Sequence, residues 1–225
     1  MRIGPARLLA DGTKEITEKG KYMKIALIGV TGNVGTRIAA ELLKRGHQIT
    51  GIARNPSKIA SRPGLSVEEG DVKDEAKLAQ LLRGRDVVIH SVKFESTDVN
   101  NVIGAAKKAG VRRLLVVGGA GSLEVAPGLQ LLDSPDFPAI YEAEAQAGRE
   151  FLTVLRGEKE LDWTYVSPSA FFAPGERTGK FRIGQDQLLV SSSGESKISM
   201  EDFAIAFADE IEQPKHSRQR FTIGY

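Results

Sequence analysis

Short apolar runs alternate with longer amphipathic stretches along the chain from Met23 onward. Short runs rich in Val, Ile and Leu are typical of buried strands, and apolar residues three and four positions apart are typical of helices. The pattern predicts strands over residues 24–28, 48–53, 66–69, 86–90, 113–117, 162–166, 187–190 and 220–223. It predicts helices that begin near Asn33, Asp74, Asp98, Ala139 and Ser199. Such alternation favours βαβ units, so we expect an α/β fold with a doubly wound parallel sheet.

The first 22 residues differ from the rest, because they mix charges, Gly and Pro around one short apolar patch. We therefore divide the chain into an N-terminal extension, residues 1–22, with little expected order, and one domain, residues 23–225. The alternative is that the extension is an arm that packs on a partner subunit.

Two long irregular stretches, residues 118–138 and 168–186, each follow a predicted strand. Ligands of open α/β sheets bind at the carboxyl ends of the strands. We therefore expect these two stretches to form the walls of a substrate pocket.

Charge and composition exclude several classes of function. The 225 residues include 31 Lys and Arg against 29 Asp and Glu, a net charge of +2. This balance provides no basic surface for nucleic acid or an anionic membrane, so we expect a small-molecule substrate as the partner. The chain has no cysteine, which excludes disulfides, thiolate metal sites and a cysteine nucleophile. Its three histidines show no ligand spacing, so we predict no metal site.

The sequence contains no apolar run long enough to cross a membrane and no apolar stretch typical of a signal peptide. We therefore expect a cytoplasmic protein. Since no long amphipathic seam stands out, we expect either a monomer or a homodimer.

A glycine turn, Gly29-Val30-Thr31-Gly32-Asn33-Val34-Gly35, joins the first predicted strand to the first predicted helix. We expect Gly29 to turn the chain tightly, Gly32 to let the backbone approach a pyrophosphate, and Gly35 to let the helix pack closely on the strand. The N–H groups and the positive end of the helix dipole would bind the phosphates. The turn therefore predicts dinucleotide binding on a Rossmann-type fold, and the alternative is a glycine-rich turn without a ligand. The residues predicted to bind are Gly29, Thr31, Gly32, Asn33, Val34 and Gly35.

Arg54 stands at the end of the second predicted strand, where NAD-binding proteins place an acidic residue that holds the ribose 2′-hydroxyl. The segment 51–58 contains no acidic residue. An arginine there pairs with the 2′-phosphate of NADP, and we expect Asn55, Ser57 and Lys58 to add contacts. We therefore predict NADP(H) as the preferred cofactor and NAD(H) as the alternative. A solvated surface arginine is the simpler interpretation.

Asp71 and Val72 follow the third predicted strand in the sequence Gly70-Asp71-Val72. The carboxylate would accept a hydrogen bond from the adenine amino group, and Val72 would flank the ring. The alternative is that Asp71 serves as an acid near the start of the next helix, where Asp74 is the expected cap.

Taken together, the stretch 23–35, the segment Arg54-Asn55-Pro56-Ser57-Lys58 and Gly70-Asp71-Val72 resemble the atypical short-chain dehydrogenase/reductases. Within them the chain is most similar to the NAD(P)H-binding group that includes biliverdin reductase B-like, NmrA-like and epimerase/dehydratase-related proteins. The resemblance covers about residues 23–225 and is more specific for the cofactor half than for the substrate half. It implies a single Rossmann-type domain with a small C-terminal substrate region.

The resemblance also implies positions around the nicotinamide. His90, Ser91 and Val92 would pass beside the nicotinamide ribose, and Gly118 would lie below the ring. Ser122 matches the place where many short-chain reductases carry a serine, and Pro168 and Ser169 belong to a loop that often closes over the nicotinamide. The alternative is that these small residues only form turns.

The catalytic Tyr-x-x-x-Lys motif of the short-chain dehydrogenases is incomplete in this chain. Tyr141 is the best candidate for the tyrosine, but Ala145 stands where the lysine is expected. Arg149 lies two helical turns from Tyr141 and does not replace it. Without the lysine, Tyr141 would be a poor base at neutral pH.

We therefore expect an NADPH-dependent oxidoreductase that transfers hydride to a flat or conjugated small molecule, such as a flavin or quinone, which needs little help with the proton. Aromatic residues that would stack on such a substrate, or else pack in the core, are Phe94, Phe137, Phe171 and Phe172. One alternative is a non-catalytic NADP(H)-sensing regulatory protein. A further alternative is a sugar-nucleotide epimerase or dehydratase.

Overall fold

The computed structural model describes residues 22–60 and 62–225. The predicted extension and its alternative as an arm lie outside the described residues, apart from Tyr22. The helices are α1 (Asn33–Lys44), α2 (Glu75–Leu82), α3 (Val99–Ala109), α4 (Glu142–Gly157) and α5 (Met200–Glu212). The strands are β1 (Lys24–Ile28), β2 (Gln48–Ala53), β3 (Leu65–Glu69), β4 (Val87–His90), β5 (Arg113–Val117), β6 (Glu124–Ala126), β7 (Leu129–Gln130), β8 (Asp162–Pro168), β9 (Phe171–Ala173), β10 (Arg182–Gly184), β11 (Lys197–Ser199) and β12 (Gln219–Gly224).

The central sheet has eight strands in the order β3-β2-β1-β4-β5-β8-β12-β10. Neighbouring strands are parallel, except that β10 runs antiparallel to β12. The chain winds outward from β1 to β3, then crosses back and winds the other way from β4. This confirms the expected doubly wound α/β sheet and places its topological switch point between β1 and β4, where such sheets bind ligands.

Helices cover both faces of the sheet. On one face α1 and α5 pack together, with Ile38 and Phe203 fully buried between them and the strands. On the other face α2, α3 and α4 bury Leu78, Val102 and Phe151. Because both faces of the strands are buried, the strands read as continuous apolar runs, which is the pattern that marked them in the sequence.

The predicted strand over residues 187–190 is wrong. Only Gln187 pairs there, in an isolated bridge to Glu124, and the strand of this region is β10. The side chain of Leu189 instead fills the space beside Gly184 and Gly224, which belong to the two outermost strands at that edge of the sheet. The apolar residue therefore covers the sheet edge and does not extend the ladder.

Three of the five predicted helix starts carry side-chain caps, at Asp74, Asp98 and Ser199. The side chain of Asp74 accepts a hydrogen bond from the N–H of Lys77, and that of Ser199 accepts one from the N–H of Asp202. The N–H of Ser199 itself donates to the hydroxyl of Tyr225 at 3.3 Å. Helix α4 begins at Glu142, after a 3₁₀ turn over Ala139–Tyr141.

Candidate functional site

The glycine turn leaves β1 at the switch point and leads into α1. Gly29 has φ of +88°, and a β-carbon there would lie 2.2 Å from the carbonyl oxygen of Ser91. A β-carbon on Gly35 would lie 2.2 Å from the carbonyl oxygen of Gly29. The predicted tight turn at Gly29 and the close packing at Gly35 are therefore both confirmed.

Gly32 faces a different environment. It is the N-cap of α1, and its nearest neighbour would be the Gly29 oxygen at 3.3 Å from an added β-carbon. The first turn of α1 contains no acidic residue. Since the first N–H groups of a helix have no partner within it, this end suits an anion that approaches over Gly32.

A cleft of about 510 Å³ runs along the carboxyl ends of β3, β2, β1, β4 and β5, with Arg54 at one end and Gly118 at the other. The structure brings most of the predicted cofactor residues together along this cleft. Those that line it are Gly29, Thr31, Gly32, Asn33, Val34, Arg54, Asp71, Val72, Ser91, Val92 and Gly118.

Asp71 lines the cleft and also shapes the loop after β3. Its carboxylate accepts a hydrogen bond from the N–H of Lys73 at 3.0 Å, while the α2 cap is Asp74. Asp74 is therefore the cap of α2, as expected, and Asp71 lines the cleft from the loop that precedes this helix.

His90 does not line the cleft. Its side chain is fully buried, its ring packs against Phe94 and Phe151, and its Nε2 atom lies 3.1 Å from the hydroxyl of Thr97. Burial lowers the pKa of the imidazole to about 4, so the ring is neutral at physiological pH. The side chain belongs to the core between β4 and α4, because the last residue of β4 points away from the cleft. The His90 side chain therefore packs in the core and does not reach the cleft.

Other predicted cofactor residues also lie outside the cleft lining. Gly35 packs behind the turn, while Asn55 and Ser57 are exposed and hydrogen-bonded to each other at 2.6 Å. The side chain of Lys58 lies outside the described part of the structure. Pro168 and Ser169 line a second cavity, and the Ser169 hydroxyl donates to the carbonyl oxygen of Ile223.

The second cavity, of about 580 Å³, adjoins the cleft, because Phe94, Gly118 and Glu144 line both. Its walls come largely from the irregular stretches 118–138 and 168–186, together with the first half of α4. Those stretches therefore do line a pocket, as expected. The predicted residues found there are Phe94, Ser122, Phe137, Tyr141, Pro168, Ser169, Phe171 and Phe172.

The candidate catalytic residues occupy opposite parts of this cavity. Tyr141 stands at the rim with 58% of its surface exposed. Ser122 is buried, and its hydroxyl accepts a hydrogen bond from the guanidinium of Arg220 at 3.0 Å. Ser122 and Tyr141 therefore lie in one cavity, but the serine is held by a structural arginine.

The position of the missing lysine is a close contact between α4 and the loop after β5. A β-carbon added to Gly121 would lie 2.7 Å from the β-carbon of Ala145. The next basic residue on the helix, Arg149, pairs with both carboxylate oxygens of Asp133 at 2.8 and 2.9 Å. The helix thus approaches the loop closely at the position where a lysine would stand, and Arg149 is held elsewhere.

Sequence reasoning missed Tyr165 and Glu144. The Tyr165 hydroxyl donates to the carbonyl oxygen of Gly148 and accepts from the N–H of Gly119, and burial raises its pKa well above the usual range. Tyr165 therefore links α4 to the loop after β5 below the cavity.

Glu144 accepts hydrogen bonds from the N–H groups of Phe94 and Glu95, at 2.8 and 3.1 Å. Its spacing of three residues from Tyr141 was the available signal, since that spacing places both on one side of α4.

The sequence profile of NAD(P)H-binding proteins matches residues 29–214 of the chain. The Bacillus subtilis protein YwnB, itself uncharacterised, is 40% identical over 211 residues, which cover 89% of this chain and 98% of that protein. The structure of a candidate epimerase from Bacteroides thetaiotaomicron is 43% identical, with a TM-score of 0.87, and covers 91% of this chain and 98% of its own. A candidate NADH-flavin reductase from Streptococcus pneumoniae is 32% identical, with a TM-score of 0.79, over 90% and 99% of the two chains.

These similarities agree with the architecture and with the glycine turn at the switch point. Across residues 22–60 and 62–225, none of the helices combines the length and apolar character needed to cross a membrane.

Proposed function

Because this chain belongs to the NAD(P)H-binding family, we propose that it is an NADPH-dependent reductase of flat or conjugated small molecules, such as flavins or quinones. One observation carries the proposal: the cleft at the switch point adjoins an aromatic-lined cavity through Phe94, Gly118 and Glu144. A dinucleotide in the cleft would supply the hydride, and the second cavity would hold the acceptor.

The residues of the cleft favour one orientation of a bound dinucleotide, with its adenosine half near Arg54 and its nicotinamide half near Gly118. The glycine turn offers the pyrophosphate site in the middle, since Gly32 leaves the approach to the α1 N–H groups open. Arg54 lies on the β2 side, where a 2′-phosphate would pair with its guanidinium. The nicotinamide half then extends over β4 and β5 toward Gly118, next to the second cavity.

The incomplete motif favours acceptors that need little proton transfer from the protein. Ala145 replaces the lysine, and the Ser122 hydroxyl is held by Arg220. A planar conjugated acceptor would stack against Phe137, Phe171 and other aromatic side chains and take its proton from solvent. The similarity to the candidate NADH-flavin reductase supports the same class of acceptor.

Arg54→Ala tests the cofactor preference. We expect the affinity for NADPH to fall by about 1.5–3 kcal/mol and the affinity for NADH to stay nearly unchanged, because only NADPH carries the phosphate that pairs with Arg54. Titration calorimetry with both cofactors measures this. Arg83→Ala, an exposed arginine at the end of α2, is the matched control. Equal losses for the two cofactors would show that Arg54 does not read the 2′-phosphate.

The acceptor class is tested by following NADPH oxidation with flavins, quinones and azo dyes. We expect turnover above a buffer control with at least one of them, and none with sugar nucleotides. Phe171, which is 67% exposed at the cavity, is expected to stack on the acceptor. Phe171→Ala should then raise KM by about twofold to tenfold and leave NADPH affinity unchanged.

The control for this variant is Ile183→Ala, which removes a similarly exposed apolar side chain from β10, outside the cavity lining. It should leave KM unchanged. The proposal of a flat acceptor fails if no compound in the panel is reduced by the wild-type protein.

A non-catalytic NADP(H) sensor is the second candidate. It is favoured by the close packing of Ala145 on Gly121, which leaves Tyr141 without a lysine. Tight cofactor binding without turnover, together with a partner protein released when the cofactor changes its redox state, would support it. The epimerase alternative is weaker, because the same missing lysine removes the usual proton-transfer pair.

We further propose that the protein acts in the cytoplasm as a monomer or a homodimer. The absence of a candidate membrane-spanning helix among the described residues is compatible with that location. Cell fractionation and analytical ultracentrifugation test location and oligomeric state separately.

A further inference from the structure

Glu144 stands where the two cavities meet. It is a partly buried residue in the first turns of α4, and it lines both the cleft and the second cavity. Both oxygens accept hydrogen bonds from main-chain N–H groups, those of Phe94 and Glu95, which begin the 3₁₀ turn after β4. A group that only accepts, through both oxygens, is bonded as a carboxylate. Its orientation is therefore fixed by the backbone and not by a flexible partner.

The other charged side chains are distributed unevenly around this junction, and the acidic ones that line a cavity are Asp71 in the cleft and Asp136 in the second cavity. Lys73 and Arg54 line the cleft toward the β2 and β3 side, and Lys93 lines it near β4. Arg149 lines the second cavity, but both oxygens of Asp133 pair with it. Among the described residues that line both cavities, the charged one is Glu144, the others being Phe94 and Gly118.

We infer that Glu144 determines which redox state of the cofactor is bound more tightly, by placing a fixed negative charge beside the nicotinamide end of the cleft. This inference rests on the proposed function, which places that end over Gly118. When a hydride leaves the reduced ring with two electrons, the ring that remains carries a positive charge. A carboxylate nearby attracts the charged ring and not the neutral one, so it favours the oxidised form over the reduced form.

This role complements the missing proton-transfer pair. Without a lysine-activated tyrosine, the protein offers the acceptor little help with its proton, so a charge that stabilises the oxidised cofactor adds a driving force on the donor side. Glu144 does this in a position fixed before the cofactor binds, so no reorganisation is needed when the charge forms. It is a specificity-determining residue for the oxidised cofactor.

The test compares the affinities of NADP+ and NADPH by titration calorimetry in wild-type protein and in Glu144→Gln. We expect NADP+ to lose about threefold to thirtyfold more affinity than NADPH, the range given by one charge at partly screened distances of several ångströms. Glu142→Gln is the matched control, because it removes the same charge from the same helix at a residue that lines neither cavity. The control should leave the ratio of the two affinities unchanged.

Glu144→Asp separates charge from shape. The shorter side chain keeps the charge but weakens the hydrogen bonds to Phe94 and Glu95, so both affinities should fall while their ratio stays near the wild-type value. Thermal unfolding of each variant verifies that the domain is folded.

The outcomes distinguish the two proposals. If wild-type protein binds both cofactor forms and Glu144→Gln weakens them equally, the inference is overturned and Glu144 only anchors the 3₁₀ turn. The inference is also overturned if Glu144→Asp changes the ratio of the NADP+ and NADPH affinities as much as Glu144→Gln does. If wild-type protein binds neither form, the proposed function itself fails and the inference fails with it.

Discussion

Gly35→Ala is expected to destabilise the domain by about 3 kcal/mol, whereas Gly32→Ala is expected to keep its stability and lose the dinucleotide. The reason is what each added β-carbon meets. At Gly35 it would lie 2.2 Å from the carbonyl oxygen of Gly29, so α1 must move away from the turn. At Gly32 it would meet that oxygen at 3.3 Å, a contact that a shift of a few tenths of an ångström relieves, and the extended backbone with φ of −74° is one that alanine adopts readily.

The loss of binding in Gly32→Ala follows from the position of that residue on the cleft wall. A β-carbon there would stand between the pyrophosphate and the N–H groups of α1, and losing such charge-assisted hydrogen bonds costs about 1.5–3 kcal/mol each. Dinucleotide affinity should therefore fall at least about tenfold.

Thermal unfolding and calorimetric titration measure the two effects separately. For a domain of this size, about 3 kcal/mol lowers the melting temperature by roughly 6–12 °C. Gly157→Ala is the control, because this glycine ends α4 with no atom within 4 Å of an added β-carbon. It should be neutral or slightly stabilising. A Gly35→Ala protein as stable as wild type would contradict the packing role.

Asp202→Ala is expected to destabilise the protein by about 2–3 kcal/mol at neutral pH. The side chain is buried at the start of α5, and its carboxylate accepts hydrogen bonds from the hydroxyls of Thr178 and Tyr225 and from the N–H of Gly179, at 2.5, 2.8 and 2.8 Å. It therefore ties the stretch 168–186 and the final strand to one helix end. Removing it takes the acceptor from three donors, of which the Tyr225 hydroxyl is partly buried and Thr178 and Gly179 lie at the surface.

The Asp202 carboxyl also makes the stability difference between wild type and Asp202→Ala depend on pH. Burial alone would raise the pKa of the Asp202 carboxyl, but the hydrogen bonds from Thr178, Gly179 and Tyr225 outweigh it and hold the pKa below its usual value. A carboxyl with a lowered folded-state pKa contributes stability that is complete above its unfolded pKa, about 3.9, and is lost as pH falls through the folded value. The difference between wild type and variant should thus be constant near neutrality and shrink only in acid, below about pH 4.

Urea unfolding at pH 7 and at pH 3 measures this dependence. Asp209→Ala is the matched control, since Asp209 lies on the same helix with 55% of its side chain exposed and pairs with Arg45. An exposed pair contributes about 1 kcal/mol or less. An equal loss in the Asp202 and Asp209 variants, or a difference that persists unchanged into acid, would contradict the structural role of Asp202.

The sequence was sufficient for the parts of the fold that local pattern determines. The β1–α1–β2 unit has the predicted boundaries because both faces of its strands are buried and its turn needs glycines where a β-carbon would clash with the backbone. The two- and three-residue strands β6, β7, β9, β10 and β11 were not predicted, since they are too short to show a period. The predicted strand at residues 187–190 failed because Leu189 covers the sheet edge, which depends on β10 and β12.

The candidate site shows the same division. The residues of the glycine turn, Arg54 and Asp71 could be placed on one cleft, because parallel strands bring their carboxyl ends to the same edge. His90 could not be excluded from it by sequence, since the direction of a side chain at a strand end depends on the packing of α4. Glu144 was missed because its partners are main-chain N–H groups fifty positions away.

The wall shared at Phe94, Gly118 and Glu144 has a consequence for inhibitor design. Under the proposed function, a nucleotide fragment and a planar ring, each weakly bound alone, would occupy neighbouring cavities at one edge of the sheet. Joined by a tether of matching length, the second fragment would bind at the high effective concentration set by the first, so the joined compound would bind far more tightly than either part.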